Sequence, residues 1–430
     1  MFDKILLVIE KLTPTKWRWI FKHEGIRRYS ANTVWMFIGQ LFSLIVAFFI
    51  GVWLARYLGP YNYGIISYAL ALAGLFAFIA DLGTGGIISR DLVKSPEKRD
   101  ELLGTGFRLK LIGGTIAFLA ATIAALVIKS DPLTKVLIVL YSTSFILAAI
   151  NIIIIFFQAE VKAKKTVQAQ VMATIISSIL KVLLILFGLG VFWLTLIYVF
   201  DVVWQGIGFI WVYEKYGLRI RQWRFNPVLA KEIWRNAWPL MLSTAASVIL
   251  LRIDQVMIGN LMDKKAVGIY AAAVKIVEIF YFVPSIICAS LFPAIINAKK
   301  TGVEMYQRRL RNLYFLMGVI GILIALPISL LAKPIISILF GANYLLAVPI
   351  LQIYIWSGVG LFLGFAVNQY LMAENATRTI FWVNLAAMLA NVLLNVWLIP
   401  MVGLSGAAIA TLISYFVIPV LVWLRDRIKA

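Results

Sequence analysis

The stretch Ala31-Asn-Thr-Val-Trp-Met-Phe-Ile-Gly-Gln-Leu-Phe-Ser-Leu-Ile-Val-Ala-Phe-Phe-Ile-Gly-Val-Trp-Leu-Ala-Arg56-Tyr57 decides the fold class. Its only charge is Arg56, at its end. A helix of this length, rising about 1.5 Å per residue, exceeds the roughly 30 Å hydrocarbon core of a bilayer. A helix is the spanning form, because backbone polar groups in lipid must be satisfied within the segment. Comparable runs follow at 64–89, 107–128, 134–157, 166–188, 190–213, 236–260, 267–297, 311–332, 346–372, 378–399 and 403–424. The chain therefore reads as an all-α polytopic membrane protein with about twelve transmembrane helices.

Composition agrees. Hydrophobic residues make up 62% of the 430 positions and charged residues 14%, with a mean hydropathy of +0.94. A soluble domain would be near half apolar and about a quarter charged. The first thirty residues do not form a cleavable signal peptide, since Lys16, Trp17, Arg18 and Trp19 interrupt any apolar core. With Ile5, Leu6, Leu7, Ile20 and Phe21 set among charges, they read as a segment lying in the membrane interface. Cys288 is the only cysteine, which excludes a disulfide framework, and the only histidine, His23, reads as a solvated side chain of the basic leader.

The formal charge of +21 would point to nucleic acid in a soluble protein, but its distribution points elsewhere. Twelve spans put both termini and every even-numbered connection on one side. Lys129, Lys135, Lys264, Lys265 and Lys333 are the basic residues of the opposite side, and Arg56, Lys181, Arg252 and Lys275 fall within spans. All the rest of the 40 Lys and Arg lie on the N-terminal side. The positive-inside rule makes that side the cytoplasm. The expectation is thus a multi-pass protein of the cell membrane with both termini cytoplasmic and no nucleic-acid partner.

The longest connection divides the spans six and six. The expected organisation is a cytoplasmic or interfacial segment over 1–29, an N-lobe over 30–213, a cytoplasmic linker over 214–235, a C-lobe over 236–424 and a tail over 425–430. Two halves of six spans share one orientation, as parallel repeats do. A weak internal match fits duplication: Leu58-Gly-Pro-Tyr-Asn-Tyr-Gly64-Ile65 against Leu261-Met-Asp-Lys-Lys-Ala-Val-Gly268-Ile269.

With the basic residues at span edges (Arg108, Lys110, Lys135, Arg311 and Arg378) counted among the connections, eight ionisable residues fall inside the expected spans: Arg56, Asp81, Lys181, Asp201, Arg252, Asp254, Lys275 and Glu278. A charge at a helix centre costs roughly 2.5–3.5 kcal/mol on insertion scales, so such residues usually face a cavity or a partner. Arg56 ends a span and can snorkel to headgroups. Lys275 and Glu278, three apart, can neutralise each other on one face. Arg252 and Asp254 are two apart, point to different sides, and each needs a partner elsewhere; Arg252 is the leading functional candidate. Arg56, Lys181, Arg252 and Lys275 are the candidate ligands of an anionic head group, and Asp81, Asp201, Asp254 and Glu278 the candidate cavity or ion-coupling acids. Pro239, Pro284, Pro293 and Pro327 offer kinks. There is no Gly-rich phosphate loop followed by Lys-Ser/Thr, no metal-ligand cluster, and no room outside the spans for a catalytic domain. The chain is read as a non-enzyme without cofactor or metal.

At its C-terminal end the stretch Asn391-Val-Leu-Leu-Asn395-Val-Trp-Leu-Ile399-Pro400-Met-Val-Gly403-Leu-Ser-Gly406-Ala-Ala-Ile-Ala-Thr411 resembles the closing motif of Wzx-type polysaccharide and O-antigen flippases. These belong to the multidrug/oligosaccharidyl-lipid/polysaccharide (MOP) exporter superfamily. Pro239-Leu240, Arg252-Ile-Asp254, Ile258-Gly259 and Val267-Gly268-Ile-Tyr270 fit as well, as does Ala55-Arg56-Tyr-Leu58-Gly59-Pro60 leading to Tyr63-Gly64. The resemblance implies two six-helix lobes in a V, alternating between inward- and outward-open states. It also implies a polyprenyl-pyrophosphate-linked oligosaccharide as cargo, membrane lipids as surroundings, and H+ or Na+ as a coupling ion. Two alternatives stand beside it: an ion-coupled drug or small-molecule exporter of the same superfamily, and a membrane-embedded enzyme of polysaccharide synthesis.

Overall fold

The computed structural model describes residues 24–429, so most of the expected interfacial segment, His23 included, lies outside the described residues. Seventeen α-helices make up the described chain: α1 (Glu24–Gly74), α2 (Ala77–Asp81), α3 (Gly85–Lys94), α4 (Arg99–Val127), α5 (Pro132–Leu147), α6 (Ile152–Ala159), α7 (Lys164–Leu186), α8 (Val191–Lys215), α9 (Pro227–Leu261), α10 (Lys264–Glu278), α11 (Phe282–Thr301), α12 (Val303–Leu330), α13 (Ala332–Leu339), α14 (Ala347–Tyr354), α15 (Ser357–Ala373), α16 (Thr377–Val402) and α17 (Leu404–Lys429). No strand occurs among the described residues.

Eleven helical stretches, from Val34–Gly74 to Leu404–Arg427, are long and apolar enough to cross a bilayer. The first counts twice. Helical geometry fails at Gly59, where φ is 69° and ψ 171°, and Pro60 follows. Glycine tolerates that positive φ and proline cannot continue the hydrogen-bond ladder. Two sets of contacts show that the chain reverses there. Asn32 Oδ1 accepts from the Ala163 amide (2.7 Å) at the start of α7, and Tyr57 Oη donates to the Leu189 carbonyl (3.2 Å) beyond its end. Residues 24–58 therefore run parallel to α7. The second limb runs back along α9: Tyr68 Oη donates to Asn260 Oδ1 (2.6 Å), while Gly83 abuts the Met241 backbone. The reversal brings the crossings to twelve, in two lobes of six.

Most elements obey simple local rules. Asn226 caps α9 by accepting from the Val228 and Leu229 amides (3.0 and 3.2 Å), with Pro227 at the first helical position. The helix therefore starts inside the expected 214–235 connection. At the other terminus α17 continues to Lys429, through the expected tail, since nothing after Pro419 breaks it. Four expected spans are interrupted, those over 267–297 and 346–372 by short breaks between α10 and α11 and between α14 and α15. The expected 64–89 span divides into the second limb of α1, α2 and α3, and the expected 134–157 span passes through a 3-10 turn at Ala148–Asn151 between α5 and α6.

We call the end bearing the start of α7, the end of α8 and the 216–226 connection the basic end, and the other the far end. Large apolar side chains such as Phe49, Leu126, Val127, Phe315 and Leu330 stand exposed on the outside, as a lipid-facing surface requires. The main buried cluster unites residues of both lobes: Ile66 and Tyr68 of α1, Tyr270 and Val274 of α10, and Tyr354 of α14. A second cluster ties α3, α4, α6 and α8 to Ile233 and Ala237 at the start of α9. A third holds α11, α12 and α15 together within the second lobe.

Candidate functional site in the cleft between the lobes

At the far end the lobes meet backbone to backbone. A Cβ on Gly64 would fall 1.6 Å from the Lys264 carbonyl oxygen, and one on Gly268 would fall 1.9 Å from the Pro60 carbonyl oxygen. Each glycine thus faces the residue four before the other, a reciprocal crossing about a local two-fold. The glycines matched in sequence by the internal repeat are the ones in contact. Around this crossing, Tyr344 Oη donates to the Ala55 carbonyl (2.7 Å) and Arg56 Nη1 to the Ile338 carbonyl (3.3 Å). Lys264 Nζ lies 3.0 Å from the centre of the Tyr68 ring. Toward the basic end α11 packs on α12 and α15, while residues 24–58 follow α7. Between them the Phe37 and Phe282 rings face each other at 6.4 Å.

Below the far-end contact, five of the eight sequence candidates converge. On the second lobe, Arg252 Nη1 of α9 donates to Glu278 Oε1 of α10 at 3.0 Å, with side chains 40% and 31% accessible. Such access deep within two spans marks the wall of an open cleft. Lys275 lies one turn from Glu278, yet the structure does not pair them; its electrostatic neighbours are Glu278 and Arg252. The Lys275 ammonium rests on the backbone of α1, where a Cβ on Gly51 would come within 2.1 Å of it. Among the described residues it has neither an ion pair nor a hydrogen bond. On the first lobe, Lys181 of α7 stands over the Tyr198 ring at 4.1 Å, and Ser177 Oγ donates to Asp201 Oδ1 of α8 at 2.8 Å. Lys181 interacts electrostatically with Asp201 on its own lobe and with Lys275 across the cleft. Tyr141 interacts electrostatically with both Asp201 and Arg252, and Tyr63 with Tyr198 and Glu278. Three cations against two acids, with tyrosines between, give a wall suited to a polar, anionic ligand.

The other three candidates lie elsewhere. Arg56 belongs to the far-end contact. Asp81 sits toward the basic end in an ion pair with Lys110 of α4 (2.5 Å). Sequence reading counted Lys110 among the loop cations, whereas its side chain is only 9% accessible; a charge at a span's edge gives no sign of its burial. Asp254 points away from Arg252 into the second lobe and is fully buried. It accepts from Tyr270 Oη (2.8 Å), from Asn395 Nδ2 (2.7 Å) and from the Thr411 hydroxyl, and Asn395 in turn contacts Asn391 (3.0 Å). The polar residues of the C-terminal motif, Asn391, Asn395 and Thr411, thus build a cage for this carboxylate. Their signal in sequence was two amides four apart on one face of an apolar helix. Within the same motif, Gly406 lets α16 and α17 close into a hairpin, since a Cβ there would fall 2.2 Å from the Leu398 carbonyl.

Two six-helix lobes around a charged cleft define the fold of a MOP-superfamily transporter. The chain belongs to the polysaccharide biosynthesis protein family, whose model matches residues 30–299. A MatE family model also matches residues 239–397. A probable flippase, AglR of Haloferax volcanii, is 30% identical over 165 residues, 38% of this chain and 35% of that protein. The match covers less than half the length of the curated relatives. Among solved structures, an inward-facing multidrug-resistance MATE family transporter of the MOP superfamily aligns with a TM-score of 0.74 at 17% identity, covering 90% of this chain and 94% of that one. The lipid II flippase MurJ, in an inward closed conformation, aligns with a TM-score of 0.68 at 19% identity, covering 91% and 87%. These likenesses show the fold.

Proposed function

We propose that this protein is a flippase. Its cargo is an oligosaccharide unit on polyprenyl pyrophosphate, moved from the cytoplasmic leaflet, at the basic end, to the opposite one by alternating access, for cell-surface polysaccharide synthesis. The observation that carries this reading is the pair Lys181 and Lys275, one from each lobe, both without an ion-pair partner among the described residues and facing one cleft. Two like charges held across a cleft repel, and a pyrophosphate between them turns that repulsion into attraction and draws the lobes together. The polar head travels along the tyrosine-lined wall while the hydrocarbon tail stays in the bilayer. The family assignment and the likeness to a probable flippase support the same reading.

Asp254 takes the second role, that of coupling acid for H+ or Na+. It is caged by helices α9, α10, α16 and α17, so a change in its charge state acts on the packing of the whole second lobe. Arg56, at the far-end contact, acts on closure and not on the head group.

The test is a proteoliposome assay that follows a labelled lipid-linked oligosaccharide from one leaflet to the other. Lys181→Gln and Lys275→Gln should each slow translocation about tenfold or more, the loss of one charge-assisted contact. Unchanged rates in both variants, with the folded protein present in equal amount, would sink the assignment. Faster efflux of a small organic cation than of the lipid-linked sugar would favour a drug exporter instead.

A further inference from the structure

Away from the inter-lobe cleft, α1, α7 and α8 enclose a trough of about 1020 Å³, at the top of the range of small-molecule sites. Its floor is made by close helix approach. A Cβ on Gly39 would run into Val167, and one on Gly208 would stand 3.0 Å from Ala169. Its walls are apolar and aromatic, with Trp35 and Phe42 from α1, Met172 from α7, and Trp204, Ile207 and Trp211 from α8. Met172 and Trp211 are 63% and 61% exposed, so the trough is open along its side.

Polarity is sorted along its length. Apart from the indoles, the polar lining side chains are Lys165, Gln168, Lys215 and Tyr216, and all four sit at the basic end, where α7 begins and α8 finishes. Lysines also cover the aromatic rings at that mouth. Lys164 stands 4.8 Å from the Trp35 ring, Lys215 4.6 Å from Trp211, and Lys162 5.7 Å from Tyr216. Of the acids nearby, Glu160 is engaged by Lys162 (3.1 Å) and Glu214 is exposed. Aromatic rings and lysines gathered at one level match the headgroup region of a bilayer. The trough then runs about 16 Å into the apolar layer, from Lys165 to Ile176 at 1.5 Å per residue.

We infer that this trough holds the hydrocarbon chain of a polyprenyl phosphate, with its phosphate at the Lys165–Lys215 mouth. The choice of a polyprenyl chain over an ordinary phospholipid rests on the flippase reading, and one further observation links the two sites. Asp201, Trp204, Gly208, Trp211 and Lys215 are spaced three and four apart on α8, so they share one face. The trough therefore ends at Ile176, beside Ser177 on α7, and at Trp204, one turn from Asp201 on α8, with Lys181 five residues further along α7. A lipid seated here in the leaflet at the basic end has its chain beside the wall that receives its head.

Cys288, the only cysteine, is buried, so a Met172→Cys variant of the full chain offers one accessible thiol in the trough. The variant is placed in phosphatidylcholine nanodiscs, and the rate of maleimide labelling is followed with added lipid. Polyprenyl monophosphate at ten times its dissociation constant should slow labelling about tenfold by mass action. The matching polyprenol and phosphatidic acid should leave the rate near its starting value. Adding Lys165→Gln and Lys215→Gln should raise the concentration needed for protection by tenfold or more. Equal protection by phosphatidic acid would reduce the trough to a general lipid crevice and overturn the inference. So would absence of protection, or labelling already slow without lipid, which would mean that the chain itself fills the space. The translocation assay separates the two readings. Active translocation with an unprotected thiol overturns the trough alone, whereas protection without translocation by the unaltered protein overturns the flippase reading and leaves the trough standing.

Discussion

Glu278 has two cations within reach, and the structure gives it to the more distant one in sequence. An i,i+3 pair on one helix stabilises by only about 0.2–0.5 kcal/mol, so the intrahelical Lys275 competes poorly with a guanidinium presented from α9 at 3.0 Å. That preference leaves Lys275 without a counter-ion of its own, the feature on which the proposed head-group site depends. Removing the acid should therefore strengthen anion binding. Glu278→Gln should tighten the affinity for a pyrophosphate-bearing lipid about tenfold, equivalent to about 1.4 kcal/mol, as read by native mass spectrometry of the purified protein. An affinity unchanged or weakened would mean that Glu278 holds the ligand and does not compete with it. Part of this site was legible beforehand. The two-residue spacing of Arg252 and Asp254 forces them to different sides of α9, and the structure places one in the cleft and the other in a buried cage. The pairing of Glu278 was not legible, because it depends on how α9 packs on α10. Nor was the burial of Lys110, since the same lysine at a helix end is solvated or buried according to which neighbour, here Asp81, covers it.

Among the elements, the paired helices at the far end show what the weak internal repeat was for. In sequence Gly64 and Gly268 each follow an outer turn and open the next helix, and their mutual contact is not legible, since contact between the two halves cannot be read from either one. In the structure each glycine admits the other helix's backbone, an approach that brings Cα–H groups against carbonyl oxygens, each such contact worth roughly 0.5–1 kcal/mol. Gly64→Leu and Gly268→Leu should therefore act alike, prising the far end open. The check is an Asn260→Cys reporter beside Tyr68, labelled by a membrane-impermeant maleimide from the far side. Labelling should rise about tenfold in either leucine variant, and a rise in only one of them would break the two-fold argument. Asp131 offers a simpler test at a helix start. It caps α5 by accepting from the Thr134 amide (2.9 Å) and hydroxyl (2.7 Å). Partial burial alone would raise its pKa, but these bonds outweigh it and hold the carboxyl below its ordinary value. A depressed folded pKa adds stability that is present above the unfolded value, near 3.9, and lost as pH falls through the folded one. Asp131→Ala should thus destabilise by about 1 kcal/mol at pH 7. The gap to the unaltered protein, followed by thermal unfolding in detergent, should close below about pH 4.

For the whole molecule the decisive quantity is whether the chain crosses an even or an odd number of times. Eleven helices meet the length and hydropathy requirement, and eleven crossings would set the two ends of the chain on opposite sides. The apolar runs number twelve, because Leu58-Gly-Pro and the residues after it separate the first from the second. The structure decides for reversal through the φ of 69° at Gly59 and through the antiparallel course of the two limbs along α7 and α9. The charge pattern gives an independent reason. With twelve crossings the far-side connections carry only Lys129, Lys135, Lys264, Lys265 and Lys333. Moving the first limb out of the count would send all later connections across and scatter the basic residues over both faces, against the positive-inside bias. The distribution therefore predicts a labelling map. Because Cys288 is buried, single cysteines can be introduced one at a time and probed in intact cells with an impermeant maleimide. Asn62→Cys, Ser130→Cys, Asp263→Cys and Ala342→Cys should label from outside. Ser95→Cys, Gly217→Cys, Gly302→Cys and Asn375→Cys should label only after the cells are opened. Inaccessibility of Asn62→Cys, together with outside labelling of Ser95→Cys, would show that α1 passes once and not twice. In that case the two lobes could not share one orientation, and the reciprocal glycine crossing would lose its symmetry.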